Sequence, residues 1–164
     1  MNTNKLEIIS KELGDILISK GLSFTSAESC TGGWIGQSVT AIPGSSKWYG
    51  AGFITYSNIA KANILDVSKA TLKSKGAVSE EVVTEMVEGA LIKSGADVGV
   101  AVSGIAGPGG GSKDRPIGTV CIGWKVKNLK TVSATELFSG NRNEVRYATV
   151  EYTLKRLIEL VRDF

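Results

Sequence analysis

Apolar residues recur at spacings of three and four over residues 5–20, where Leu6, Ile9, Leu13, Ile16 and Leu17 share one face. That period predicts an amphipathic helix, with Gly21 as its stop. The period then shortens to two. Leu-Ser-Phe-Thr-Ser-Ala over 22–27 predicts a strand. Glu28-Ser29-Cys30-Thr31-Gly32-Gly33 follows and leads into a helical stretch to about Ala41, closed by a turn at Pro43-Gly44-Ser45-Ser46. Residues 48–57 are rich in aromatic and β-branched side chains and predict a second strand, with Ser57 or Asn58 capping the helix behind it. Residues 67–77 show no clear period. Ser79 opens a helix to about Ser94, and Glu80 and Glu81 suit its positive end. Residues 97–103 are nearly continuous in apolar character, as in a strand buried on both faces. A glycine- and proline-rich loop spans 104–116, two strands at 117–127 and 130–138 form a hairpin about Asn128-Leu129, and a last helix runs from about Asn141 to Asp163.

Strands alternating with helices and ending in a hairpin predict an α/β fold, a three-layer α/β/α arrangement around a mixed, mostly parallel sheet. The length of 164 residues suits one domain with a single core, spanning residues 1–164. Apolar residues make up 42% and charged residues 21%, which argues against disorder. A net charge of +3 is too mild for a nucleic-acid binder but favours a small anionic ligand. Met1 to Lys5 open no signal peptide, and no apolar run reaches the ~20 residues of a membrane span. A soluble cytoplasmic protein with two free thiols, Cys30 and Cys121, is the expectation. The chain has no histidine, which excludes Ser-His-Asp and Cys-His catalysis from this chain alone and argues against zinc.

Four segments carry candidate chemistry. Ser29 falls between a strand and a helix start, where free N–H groups and the helix dipole stabilise an oxyanion. The same pattern also describes a plain capped turn, with Ser29 or Thr31 as the cap. Lys61 falls in the first turn of the helix after Tyr56-Ser57-Asn58. As a base it must be neutral, and burial and the positive helix end both lower its pKa. A solvated surface lysine is the alternative. The third segment, Ser103-Gly104-Ile105-Ala106-Gly107-Pro108-Gly109-Gly110-Gly111, fits neither a P-loop nor a Rossmann fingerprint, but it can wrap an anion with its amides or be a flexible loop. Arg142, in Phe138-Ser139-Gly140-Asn141-Arg142, suits a phosphate or carboxylate clamp, or the surface of a capped helix. All four follow expected strands, where open α/β sheets bind ligands.

In order along the chain, Thr25-x-Ala27-Glu28-Ser29-Cys30-Thr31-Gly32-Gly33, Gly52-Phe53-x-x-Tyr56-Ser57-Asn58-x-x-Lys61, Gly76-Ala77-Val78-Ser79, Ser103-Gly104-Ile105-Ala106-Gly107-Pro108 and Phe138-x-Gly140-x-Arg142 resemble the CinA C-terminal domain family, in the form of its stand-alone nicotinamide-nucleotide amidohydrolases. The resemblance covers nearly the whole chain. It implies hydrolysis of nicotinamide mononucleotide to nicotinic acid mononucleotide and ammonia, in pyridine nucleotide salvage. It implies Ser29 as nucleophile, Lys61 as its base and Tyr56 as an assisting hydroxyl. Thr31, Gly32 and Gly33 would supply oxyanion amides. Arg142 and the loop from Ser103 and Gly104 through Gly107, Gly109 and Gly110 would hold the nucleotide. Gly109 departs from the family pattern, since some relatives carry an acidic residue there. No metal or redox cofactor is called for, and no nucleic-acid or membrane partner. A homo-oligomer is expected, as for many small enzymes. Two rival readings are a Cys30 nucleophile and a non-catalytic nucleotide-binding module related to competence/damage-inducible CinA. Some relatives carry this domain behind a molybdopterin-binding-like domain, for which this chain has no room.

Overall fold

The computed structural model describes residues 3–164, so Met1 and Asn2, read above for a leader, lie outside the described residues. These residues form six α-helices and a five-stranded sheet in the order β2-β1-β3-β4-β5. Helix α1 spans Thr3–Lys20 and buries Leu6, Ile9, Leu13 and Leu17. Gly21, at φ 64°, ends it in the left-handed conformation that a C-terminal cap requires. Strand β1 (Phe24–Glu28) runs parallel to both β2 (Tyr49–Ile54) and β3 (Val98–Gly104). Strands β4 (Thr119–Val126) and β5 (Val132–Leu137) continue the sheet with antiparallel pairing. The sheet is thus mixed, as expected, with β4 alone reversed among the described strands. The hairpin between β4 and β5 turns on Asn128, which takes φ 65°.

The two faces of the sheet are packed differently, and the period-two pattern explains why. One face of β3 and β4 presents Val98, Val100, Val102, Val120, Ile122, Trp124 and Val126 to α1, α2 (Trp34–Thr40) and α6 (Arg142–Arg162). The other face presents Gly99, Ala101, Cys121 and Gly123 to α5 (Glu80–Ser94). A Cβ added at Gly123 would stand 2.9 Å from the Val83 carbonyl oxygen, so α5 packs close because the strand offers no side chain there. Helices therefore cover both faces, which is the three-layer arrangement.

Several boundaries differ from expectation. Residues 67–77 hold a short helix, α4 (Lys69–Lys75), capped by the Ser68 hydroxyl, which accepts from the Thr71 N–H. It buries only Leu72, so it leaves no apolar period. Strand β2 ends at Ile54 rather than at 57. Thr55 and Tyr56 leave the sheet there, and Ser57 caps α3 (Asn58–Leu65) by accepting from the Ala60 N–H. Ser79 caps α5, and Asn141 with Glu144 forms a capping box on α6. Among the described residues, no helix is long and apolar enough to cross a membrane.

Candidate active site

Three parallel strands, β1, β2 and β3, end side by side at their carboxyl ends. The chain crosses from β1 to β2 on one side and then returns past β1 to β3 on its other side, so the strand order reverses at β1. Ser29 follows β1 directly, and its N–H donates to the Val102 carbonyl at 3.0 Å, which fixes the start of the turn to β3. The alternative reading of a plain turn capped by Ser29 or Thr31 does not describe this helix start. The cap position of α2 is Gly33, with no side-chain cap bond, so neither Ser29 nor Thr31 is the cap.

Glu28 does the capping from outside the helix. Its carboxylate is 1% exposed. Oε2 accepts from the Thr31 hydroxyl at 2.6 Å, the Gly33 N–H at 3.0 Å and the Ile35 N–H at 3.1 Å, and Oε1 accepts from the Gly36 N–H at 2.9 Å. A buried carboxylate needs such donors, and here they come from the first turn of a helix whose dipole favours an anion. The expected oxyanion amides are corrected by this. The Gly33 N–H is committed to Glu28, and the Gly32 N–H donates to the Ser29 carbonyl at 3.0 Å. Of the three glycine-turn residues, only Thr31 keeps its N–H without an acceptor among the described residues. Sequence reasoning gave Glu28 no role. The available signal was an acid at a strand end before a helix that lacks its own polar cap.

Lys61 reaches Ser29 from α3. Its side chain is 1% exposed, and Nζ stands 2.9 Å from Ser29 Oγ and 2.8 Å from the Thr55 carbonyl oxygen. Both partners are uncharged. Burial therefore lowers its pKa to about 8. A neutral amine there can donate one N–H to Thr55 and keep its lone pair for the Ser29 hydroxyl proton. Cys30, next in the chain, is buried, and burial pushes its thiol up to about 12. A thiolate nucleophile is disfavoured at that position.

A cavity of about 200 Å³ opens over this pair, walled by Ser29, Tyr56, Asn58, Lys61, Ser103 and Arg142 among others. Gly104 also lines it, at the end of β3. Tyr56 is not placed as an assisting hydroxyl. It is 62% exposed, and its hydroxyl accepts from Arg142 Nη2 at 3.1 Å rather than bonding Lys61 or Ser29. The reason is that β2 ends before it and turns its ring outward. Arg142 Nη1 donates to the Gly107 carbonyl at 2.7 Å, which ties the glycine loop to the start of α6. Gly109 and Gly110 are exposed and do not line the cavity. Asn58, read from the sequence only as a possible helix cap, lines the cavity, and Arg146, beside the Ser29 turn, is a polar residue that sequence reasoning left without a role. Arg146 lies one turn beyond Arg142 on α6 and donates to the Cys30 and Thr31 carbonyls.

A larger cleft of about 750 Å³ lies between α5 and the β4–β5 hairpin. Ser133 and Thr135 there both donate to Glu80, and no serine or cysteine of its lining bonds a lysine. Among the described residues, no three His, Cys, Asp or Glu side chains gather as a metal set.

A serine bonded to a buried lysine at the ends of three parallel strands is an arrangement that known proteins can be compared with directly. The nicotinamide-nucleotide amidohydrolase PncC of Enterobacter agglomerans is 49% identical over 155 residues, 94% of each chain. The protein of the same name from Escherichia coli K12 is 45% identical over 157 residues, 96% of this chain and 95% of that one. In structure, a competence-damaged protein (CinA) superfamily protein from Klebsiella pneumoniae superposes over the full length of both chains with a TM-score of 0.93 at 34% identity. The CinA C-terminal domain profile matches residues 6–161, which takes in every residue of the site, and the chain belongs to that family.

Proposed function

We propose that this chain is a nicotinamide-nucleotide amidohydrolase that converts nicotinamide mononucleotide to nicotinic acid mononucleotide and ammonia by a serine–lysine mechanism. The observation that carries the mechanism is the buried Lys61 Nζ, 2.9 Å from Ser29 Oγ and without a charged partner. The near-full-length likeness to proteins named for this activity supports the substrate class.

Neutral Lys61 takes the Ser29 hydroxyl proton as Oγ attacks the carboxamide carbon. The tetrahedral intermediate collapses to a nicotinoyl ester, and the ammonium of Lys61 returns its proton to the departing ammonia. Water then attacks the ester, with Lys61 again accepting and returning a proton, and the acid leaves. The Thr55 carbonyl holds the amine in place through both steps. Arg142 and Tyr56, paired at the rim, are the groups proposed to hold the nucleotide, with Ser103 and Gly104 forming the wall opposite. The reaction belongs in the cytoplasm on this reading, where two free cysteines stay reduced.

Ammonia release from nicotinamide mononucleotide, the dinucleotide and free nicotinamide tests the proposal. The mononucleotide should be the preferred substrate. Tight mononucleotide binding with no ammonia from any of the three would replace the enzyme with a binding module.

A further inference from the structure

Charge in the catalytic cavity has one sign. Lys61 and Arg142 line it, and among the described residues no aspartate or glutamate does. The acids around it are engaged elsewhere. Glu28 turns its carboxylate to Thr31 and to the first amides of α2. On α5, Glu80 accepts from Ser133 and Thr135, Glu81 pairs with Lys75, Glu85 accepts from Ser68 and Thr71, and Glu88 accepts from Thr131. Asp66, at the end of α3, pairs with Lys93, and the charged residues of α4 are all lysines. Burial keeps the Cys30 thiol neutral, and the Tyr56 hydroxyl bonds Arg142. Lys61 therefore bonds two uncharged oxygens and meets no counter-ion.

The proposed substrate brings a further cation into this cavity. In nicotinamide mononucleotide the ring nitrogen carries the ribose, so the ring is a permanent pyridinium. That nitrogen is about 4 Å from the carboxamide carbon by covalent geometry. The carbon must come within about 3.5 Å of Ser29 Oγ to react. Lys61 Nζ is 2.9 Å from the same oxygen. In any reactive pose the positive nitrogen thus lies within about 10 Å of Nζ. At an effective dielectric of about 20, a like charge at that distance shifts a titration by about one pH unit or more. A neutral amine escapes the repulsion.

We propose that the substrate completes its own base: a pyridinium bound with its carboxamide at Ser29 drives Lys61 to give its proton to solvent, so the site prefers amides of cationic, N-substituted pyridine rings to amides of neutral ones. The inference rests on the reading of Ser29 and Lys61 as the catalytic pair. The phosphate acts in the opposite sense, but on the same reading it pairs with Arg142, and it is common to the two ligands compared below.

The test compares nicotinamide mononucleotide with its reduced form, in which a neutral dihydropyridine carries the same carboxamide, ribose and phosphate. Binding to Ser29→Ala, which should be inactive, is followed by calorimetry at pH 7 in buffers of different ionisation enthalpy, which counts the protons released. Lys61 in the unliganded enzyme, with a pKa of about 8, is mostly charged there. A downward shift of about one unit on binding means that the oxidised ligand releases about 0.4 proton more than the reduced one. For wild type with the oxidised substrate, kcat should level off about one pH unit below kcat/KM, since kcat titrates the complex and kcat/KM the free enzyme. The oxidised-to-reduced ratio of kcat should fall about fivefold from pH 7 to pH 9, a change in which the intrinsic reactivities of the two amides cancel. Equal proton release by the two ligands, or a kcat inflection no lower than that of kcat/KM, would overturn the proposal. Ammonia release that survives in Lys61→Met would overturn the base reading and this inference with it. An inactive Lys61→Met beside coincident kcat and kcat/KM inflections in wild type would overturn the inference alone.

Discussion

Lys61 is the residue whose environment makes the strongest quantitative demands. Its folded pKa of about 8 lies below the 10.5 of a free lysine because it is buried. A base must be unprotonated, so kcat/KM should rise about tenfold per pH unit up to about pH 8 and level off above it. A profile flat from pH 6 to 9 would contradict Lys61 as the base. The same burial costs stability. At pH 7 both folded and unfolded chains hold the proton, and the folded chain bears the charge at a cost of about 3 kcal/mol for the shift from 10.5 to about 8. Between about pH 8 and 10 the unfolded chain binds more protons, so stability rises with pH. Lys61→Met should therefore be inactive yet at least as stable as wild type at pH 7 in urea unfolding. Wild type should close the gap or move ahead by pH 10, and a stability difference that does not change with pH would refute the buried amine. Glu28 makes a different demand. Glu28→Gln keeps its shape but turns one acceptor oxygen into a donor facing N–H groups, and should cost about 2 kcal/mol or more. In the sequence, the missing histidine narrowed the partner of Ser29 to a lysine or a tyrosine, and the motifs that resemble the CinA family pointed to Lys61 and Tyr56, of which the structure sets Lys61 against Ser29. Glu28 and Arg146 were not legible there, since both act on backbone groups. Arg146 does so on a turn 115 residues away in the chain, which spacing cannot reveal.

At the scale of elements, the close approach of α5 to β4 depends on a missing side chain. Gly123→Ala would set a Cβ 2.9 Å from a backbone oxygen that cannot swing aside. It should cost about 1–3 kcal/mol, seen as a fall of several degrees in Tm. An unchanged Tm would mean that α5 is free to retreat. The helices with strong apolar periods, α1, α5 and α6, were readable from sequence to within a few residues. Helix α4 was not, because seven residues with one buried leucine leave no period to find. Strand β2 was read too long because Thr55 and Tyr56 continue its composition while the backbone departs to meet α3. That departure puts the Thr55 carbonyl against Lys61, so the misread boundary lies within the site itself.

For the whole molecule, the site draws on residues from Ser29 to Arg146, brought together where the strand order reverses and closed by the start of α6. Local pattern could place each segment after a strand, but only the sheet order shows that β1, β2 and β3 end as neighbours. Arg142 joins this assembly through Gly107 and Tyr56, and Arg142→Ala should raise KM for the mononucleotide by about tenfold or more with a smaller change in kcat, as loss of a charged ligand contact does. A larger effect on kcat than on KM would move Arg142 from binding to chemistry. The central claim is narrower, that Ser29 forms the ester, and steady-state hydrolysis of nicotinamide mononucleotide by Ser29→Ala tests it most directly. The folded variant should lose at least about 1000-fold in kcat, as nucleophile removal does in serine hydrolases. A rate near that of wild type would contradict it.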